Sequence, residues 1–289
     1  MLSILIVNWN TRNLLESCLK SIAIHAPDVE HEIILVDNAS SDGSADMVRE
    51  RFPNVKLIAS VQNTGYAGGN NLAFGAAQGE VLLTLNPDTE FQDDSLNKAL
   101  EILASHSQVG CLGIRQVGLD GRTQSSVRGF PTILGILGDV TGLGKRFPGS
   151  RLDSYRLAAF DYEKEGLAPQ PMGTFLMFRR VALESVGDVH APFDEGFPIF
   201  FNEVDLLFRL KQKGWDCLYS PVPHILHHGG ESTRQVRKSM IWESHRSLVR
   251  YLRKHQGTGI GHLGLPFLAA IIYFAAFIRA KGYDAGFRS

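Results

Sequence analysis

Apolar residues in the first hundred positions fall into two recurring arrangements. Short apolar runs at Leu2–Val7, Glu32–Asp37, Val55–Ser60 and Val81–Leu85 have the length and composition of strands buried on both faces. Between them the apolar positions space out. Leu14, Leu15, Cys18, Leu19 and Ile22 recur at helical intervals. Ser40, Ser41, Asp42 and Ser44 supply helix-capping side chains ahead of a helix reaching Arg49, and residues 70–78 and 95–104 read as two more helices. This β-α-β-α order predicts an α/β domain with a mostly parallel central sheet and helices on both faces.

The second half is less regular. Residues 115–170 are rich in Gly, Pro, Arg and Ser and read as loops with short elements. A strand follows at Gly173–Phe178, with helices near 181–186, 203–213 and 236–254. No internal repeat or low-complexity tract interrupts the chain. One main domain over residues 1–232 and a C-terminal part over 233–289 is the predicted division.

That C-terminal part has its own chemistry. Seven Lys/Arg lie between Arg234 and Lys254 against one acid, Glu243. An apolar stretch at 260–278 follows, broken by His262 and by Gly-Leu-Pro at 264–266. Its length is marginal for crossing a bilayer. Cations beside an apolar run point to anionic lipid headgroups, the other reading being a solvated basic helix and a helix packed on the domain.

Composition narrows the class. With 289 residues, 44% hydrophobic and 20% charged, the chain is globular and long enough to bury a core. A net charge of −1 argues against nucleic acid as a partner. Cys18, Cys111 and Cys217 lie far apart in sequence and read as buried thiols of a reducing compartment. Met1-Leu2-Ser3 runs directly into the first strand without a basic leader, so no secretory signal is expected and a cytoplasmic location is.

In an open α/β sheet, ligands sit beyond the carboxyl ends of the strands. Three of those ends carry polar residues: Asn8-Trp-Asn10-Thr11, Asp37-Asn38 and Asn86-Pro87-Asp88. The first has no glycine, which excludes the Gly-x-Gly-x-x-Gly turn of a dinucleotide site. Asp37 either accepts from a base or ribose or caps its own turn. Gly65, Gly68 and Gly69, within Asn63–Asn71, either let backbone approach a ligand ahead of a helix N-terminus or form a plain turn. Asp88 is a hard oxygen ligand of the type Mg²⁺ takes, although Asn-Pro-Asp is also a good turn. Glu203 and Asp205 open a helix on different faces. Asp205 is spaced to pair with Arg209, and Glu203 lies nearer the loop as a candidate base. His224, His227 and His228 occupy a Gly-flanked stretch, and imidazole suits Mn²⁺ or phosphate.

These stretches, in order from Val7 to Ser232, resemble the family-2 glycosyltransferases, and among them a rhamnosyltransferase-like branch of bacterial cell-envelope enzymes. The segments are Val7-Asn-Trp-Asn10, Val36–Ser44, Asn63–Asn70, Leu85–Thr89, Asn202–Leu206 and His227–Ser232. The resemblance implies a GT-A fold, a nucleoside-diphosphate sugar (dTDP-, UDP- or GDP-linked), a divalent cation (Mg²⁺ or Mn²⁺) and inversion at the anomeric carbon. It implies a donor site of Asn8, Asn10, Asp37, Asn63, Gly65, Gly69, Asn70, Asn86 and Asp205. Asp37 would hold the base, Asp88 and His227 the metal, and Glu203 would be the catalytic base. Asn86 stands where the family's Asp-x-Asp has its first Asp. The implied acceptor is a glycan or polyprenyl-linked sugar at the inner face of the plasma membrane, reached by a peripherally bound enzyme. A sugar nucleotidyltransferase and a nucleotide-sugar-binding protein without turnover are the rival readings. The first lacks a Gly-rich basic loop after strand one, and Asp88 with Glu203 counts against the second.

Overall fold

A computed structural model describes residues 1–188, 191–229, 237–256 and 261–284. Gly230, Glu231, Ser232, Arg234 and Ile260, which the sequence singled out, lie outside the described residues. In chain order the elements are β1 (Leu2–Asn8), α1 (Arg12–Ile24), β2 (His31–Asp37), α2 (Ser44–Arg51), β3 (Lys56–Ala59), α3 (Gly65–Ala76), β4 (Val81–Leu85), β5 (Thr89–Glu90), α4 (Ser95–Ser105), β6 (Val109–Val117) and β7 (Val127–Arg128). They continue with α5 (Ile133–Thr141), α6 (Leu143–Arg146), β8 (Gly166–Leu167), β9 (Gln170–Pro171), β10 (Phe175–Arg179), α7 (Arg180–Glu184), α8 (Asn202–Gln212), β11 (Asp216–His227), α9 (Arg237–Gln256) and α10 (Gly261–Asp284).

The contacts divide the chain into two compact units. One comprises Met1–Val127, Asp161–Pro198 and Asn202–Ser232, and the other Arg128–Phe160, Ile199–Phe201 and Thr233–Ser289. The second unit thus takes in residues 128–160 from the middle of the sequence as well as the C-terminal part.

The first unit is built on a sheet ordered β3-β2-β1-β4-β10-β6-β11-β5, with β8 also paired to β11. β3, β2, β1 and β4 are mutually parallel, as the apolar runs predict. Every residue of β1 is buried, because a central strand with covered faces has no solvent side. Leu15, Cys18, Leu19 and Ile22 of α1 join the core beside Ile4, Ile6, Leu35 and Leu83. The register aligns Asn8 with Asp37, and Ile6 with Leu85. The polar residues that end these strands therefore emerge along one edge, which is where the candidate site lies.

β6 and β11 are absent from the sequence-based reading, and the structure shows why. Gly110 and Gly113 interrupt the apolar run of β6. A Cβ on Gly113 would stand 2.4 Å from Pro171, so the glycine lets β9 close against the sheet. β11 carries Pro221 and Pro223 where its register against β6 shifts between Ser220 and His224, and the prolines sit in that irregularity. The same pairing sets Cys217 against Cys111, neighbours that sequence distance concealed; all three thiols are free and buried.

In the second unit, residues 133–141 form a nine-residue helix, one of the short elements expected in this glycine-rich region. Thr132 caps it by accepting from the Gly135 amide at 3.0 Å. α9 and α10 pack on one another, and α10 also touches α5. Tyr251, Leu252 and Val249 of α9 are buried, as are Leu268, Ile272, Ala276 and Ala280 of α10.

Candidate active site

The edge above β1 and β2 is tied together by side chains. Asn8 Nδ2 donates to Asp37 Oδ1 at 3.0 Å, and the Ser40 amide donates to Asp37 Oδ2 at 3.1 Å. Thr11 Oγ1 in turn donates to Asn8 Oδ1 at 2.6 Å. Asp37 therefore caps its turn and is aimed by Asn8, while Asn8 itself is fully buried. Asn10 adopts a positive φ of 53° and accepts from the Ser41 amide, which locks the β1 loop to the β2 loop. Asn38, which the sequence marks only as part of the polar end of β2, holds the next loop. Its Nδ2 donates to Asn63 Oδ1 at 3.0 Å and to the Gly65 carbonyl at 2.9 Å.

The glycine stretch differs from expectation. α3 begins at Gly65 instead of Asn70, so Gly68 and Gly69 lie inside the helix. A Cβ on Gly69 would stand 2.6 Å from Val7 Cγ1, and one on Gly65 would stand 2.4 Å from the Pro198 carbonyl oxygen. Close packing of α3 on β1 and on the Pro198 backbone accounts for these two glycines. Asn70 is fully buried and donates to the Tyr66 carbonyl at 2.9 Å.

Past β4 the chain turns at Asn86–Thr89, where Thr89 Oγ1 donates to the Asn86 carbonyl at 2.7 Å. Cys18 is packed beside this turn, and burial pushes its thiol up to about 12, so it is an inert core group. β5 then pairs with β11, Thr89 against His227, and the His228 amide donates to the Asp88 carbonyl at 3.0 Å. This short ladder brings His227 Nε2 to 3.6 Å from Asp88 Oδ2, both side chains being nearly buried. His227 lies on a strand, not in the loop expected. His224, three residues earlier, falls on the other face, and His228 pairs instead with Glu90 at 2.8 Å.

Gln124 decides which nitrogen of His227 is available. Its Nε2 donates to the His227 carbonyl at 3.2 Å, so its Oε1 is the atom 2.7 Å from Nδ1. In the neutral ring Nδ1 then carries the proton, and the Nε2 lone pair points toward Asp88. A carboxylate oxygen and an imidazole nitrogen facing one gap fit a divalent cation. Two cis ligands of an octahedral ion stand about 3 Å apart, so a shift of about half an ångström closes the set. Among the described residues no cluster of three His, Cys, Asp or Glu side chains exists, so donor oxygens or water would fill the other positions.

Glu203 opens α8 and packs beside Gly173, whose added Cβ would meet its Cγ at 3.4 Å. It keeps a partly exposed surface, yet surrounding protein desolvates the carboxyl and raises its pKa to about 7. Tyr66 Oη donates to the Gly173 carbonyl at 3.2 Å. Burial raises the pKa of that phenol, and Glu203 and then Asp88 raise it further, so both carboxylates act on one hydroxyl. Thr174, next to Gly173, accepts from the Asn86 amide at 2.9 Å. Glu203, Tyr66 and the Asn86–Asp88 turn thus share a neighbourhood. Asp205 is directed elsewhere: it is fully buried against Arg209 Nε at 2.8 Å, as the i,i+4 spacing predicts.

Comparison with known proteins follows this geometry. The model of glycosyl transferase family 2 matches residues 3–187. N-acetylglucosaminyl-diphospho-decaprenol L-rhamnosyltransferase of Mycobacterium tuberculosis is 28% identical over 277 residues, covering 89% of this chain and 86% of its own. The O-antigen biosynthesis protein RfbC of Myxococcus xanthus is 25% identical, over 80% of this chain and 18% of its own. Among solved structures, a mannosyltransferase from Pyrobaculum calidifontis in complex with GDP-Man and Mn²⁺ superposes with a TM-score of 0.59 at 18% identity, covering 99% of this chain and 78% of that one. S. aureus TarS 1–349 in complex with UDP gives 0.54 at 16% identity, covering 99% and 92%.

Proposed function

The chain belongs to glycosyl transferase family 2, and from that premise we propose an inverting, metal-assisted transfer in which Asp88 and His227 hold the cation and Glu203 is the base. It is a glycosyltransferase with the GT-A fold, a mostly parallel sheet flanked by helices. The observation that carries the mechanism is the 3.6 Å approach of His227 Nε2 to Asp88 Oδ2, in the same neighbourhood as a carboxyl raised to about 7.

In this reading Asp37, aimed by Asn8, accepts from the base or ribose of the donor. Asp88 and His227 would hold a divalent cation, Mg²⁺ or Mn²⁺, which when bound would supply positive charge against the departing nucleoside diphosphate. The acceptor hydroxyl oxygen bonds to the anomeric carbon on the face opposite the leaving group. The bond to the diphosphate oxygen breaks with its electron pair, and Glu203 takes the hydroxyl proton. A carboxyl with a pKa near neutrality suits that exchange, because it is ionised often enough to act and basic enough to accept.

Support for the substrates comes from the relatives. The mycobacterial protein's name states an L-rhamnosyl group and a decaprenol-linked acceptor, and two solved neighbours hold GDP-Man and UDP. The proposed donor is dTDP-rhamnose, with UDP- and GDP-sugars as the comparators. The proposed acceptor is a polyprenyl-linked sugar of a cell-envelope glycan, at the cytoplasmic face of the plasma membrane. Thermal-shift screening against dTDP-, UDP- and GDP-sugars with Mn²⁺, followed by transfer assays, tests the reading. Donor-stimulated stabilisation and transfer that vanish in Asp88→Ala support it; transfer undiminished by that substitution ends it.

A further inference from the structure

We propose that α10 lies in the plane of an anionic bilayer surface on one aromatic stripe, and does not cross the bilayer. This deepens the membrane-linked acceptor named above and rests on that reading for its purpose. Its physical grounds lie within the second unit alone.

Gly264–Gly282 is long and apolar enough to span a membrane, so length and composition leave the choice open. The burial pattern decides it. Leu265, Leu268, Ala269, Ile272, Ala276 and Ala280 are buried at steps of one, three and four, which is a single helical face. α10 packs on α9, and α9 carries Arg237, Lys238, Arg246, Arg250, Arg253 and Lys254 against the single acid Glu243. A spanning α10 would have to drag this charged helix into hydrocarbon or strip its own packed face. Either is strongly disfavoured.

The opposite face of α10 stands out from the protein. Phe267 is 74% exposed, Phe274 64%, Ile278 54% and Phe277 44%. Stepping by seven, three and one, they form a stripe opposite the buried face, the amphipathic arrangement of a helix lying at an interface. Cations accompany it. Lys281 Nζ lies 4.7 Å from the Phe277 ring centre, and Arg279 follows Ile278 as an exposed residue. Arg246, Arg250, Arg253 and Lys254 are exposed on α9 in the same unit. An apolar stripe accompanied by Lys and Arg complements acyl chains below anionic headgroups. A second protein copy would have to accept the same cations, and nothing in the unit supplies an equal acidic surface.

The full-length protein should co-sediment with vesicles containing phosphatidylglycerol and much less with pure phosphatidylcholine vesicles. Phe267→Ser/Phe274→Ser/Phe277→Ser changes only exposed positions, and should cut partitioning by about tenfold or more while far-UV circular dichroism is unchanged. Arg246→Glu/Arg253→Glu should cut it on anionic vesicles only. An alkaline carbonate wash should release the bound protein. Retention after the wash would show a spanning helix and overturn the proposal. So would binding to neither vesicle, or a lipid-free dimer that the triple substitution dissociates. Donor-induced thermal shifts of the unmodified protein separate the two readings. A donor shift without vesicle binding sinks only the membrane face, and vesicle binding without any donor shift sinks only the transferase site. The triple variant should keep the donor shift while losing the vesicles.

Discussion

His227 Nε2 faces Asp88 Oδ2 at 3.6 Å because Gln124 takes the proton on Nδ1 and the two-residue β5 strand pairs with β11. Residues from three separate parts of the sequence thus build the proposed metal pair, with Gln124 acting through His227 rather than on the ligand. Gln124→Ala is expected to weaken Mn²⁺ binding by about 10- to 100-fold with the melting temperature little changed. Calorimetric titration of Mn²⁺ in the presence of nucleoside diphosphate measures this, and ¹⁵N shifts of the His227 ring report the tautomer directly. Equal affinity in the variant would remove Gln124 from the site.

Glu203 sets a pH dependence. With a pKa of about 7, the proposed base ionises as pH rises through neutrality, so kcat/KM should climb to a plateau above about pH 8. Glu203→Gln should lose about 10²- to 10⁴-fold in rate and the pH dependence with it. A sloping profile retained by the variant would assign the titration to another group.

The same shift predicts a stability effect of known sign. The ordinary carboxyl value of 4.5 stands for the unfolded chain, and the folded value is raised, so the folded state binds the extra proton. Below pH 4.5 wild type and Glu203→Gln should be equally stable on this account. Between 4.5 and 7 the wild type falls behind as ionisation takes hold. Above 7 the variant should lead by about 1–3 kcal/mol, the partial exposure of Glu203 favouring the lower end. Denaturant melts at pH 4.5 and pH 8 check the difference.

Asp205 and Arg209 form a structural pair. Arg209 also donates to the carbonyls of Val186 at 2.6 Å and Pro192 at 2.7 Å. Asp205→Ala leaves a largely buried guanidinium without its carboxylate, and should cost about 3–5 kcal/mol. In whatever folded fraction remains, donor KM should be unchanged. A raised KM at full stability would return Asp205 to the donor site.

Gly69 tests what the glycine stretch is for. Its Cβ would press on Val7 at 2.6 Å, so Gly69→Ala should destabilise by about 1–3 kcal/mol. Adding Val7→Ala should recover part of that loss, a non-additive pair. If Gly69→Ala instead leaves stability intact and raises donor KM, the glycine serves the ligand.

Much of this was legible from the sequence for a specific reason. β1, β2 and β4 are mostly apolar runs, and their polar ends mark the edge where Asn8, Asp37 and Asp88 emerge. The i,i+4 spacing of Asp205 and Arg209 also read true, because a helix fixes that contact locally. What escaped depends on distance. Asn38 holds Asn63 and Gly65 across two loops, and Gln124 reaches His227 from a segment read as loop. The Cys111–Cys217 juxtaposition needs the β6–β11 register, which Gly110, Gly113, Pro221 and Pro223 hide from any periodicity. The start of α3 was misjudged because glycine is a poor helix former, and here packing on Val7 overrides propensity.

The β5–β11 pairing also orders events in time. Asp88 leaves the ribosome long before His227, and no local contact can stand in for a ladder that joins such distant residues. A nascent chain would therefore expose β1 to β4 before it could have the proposed metal pair. Cation and donor would then act as a late thermodynamic lock, stabilising only chains that have completed β11.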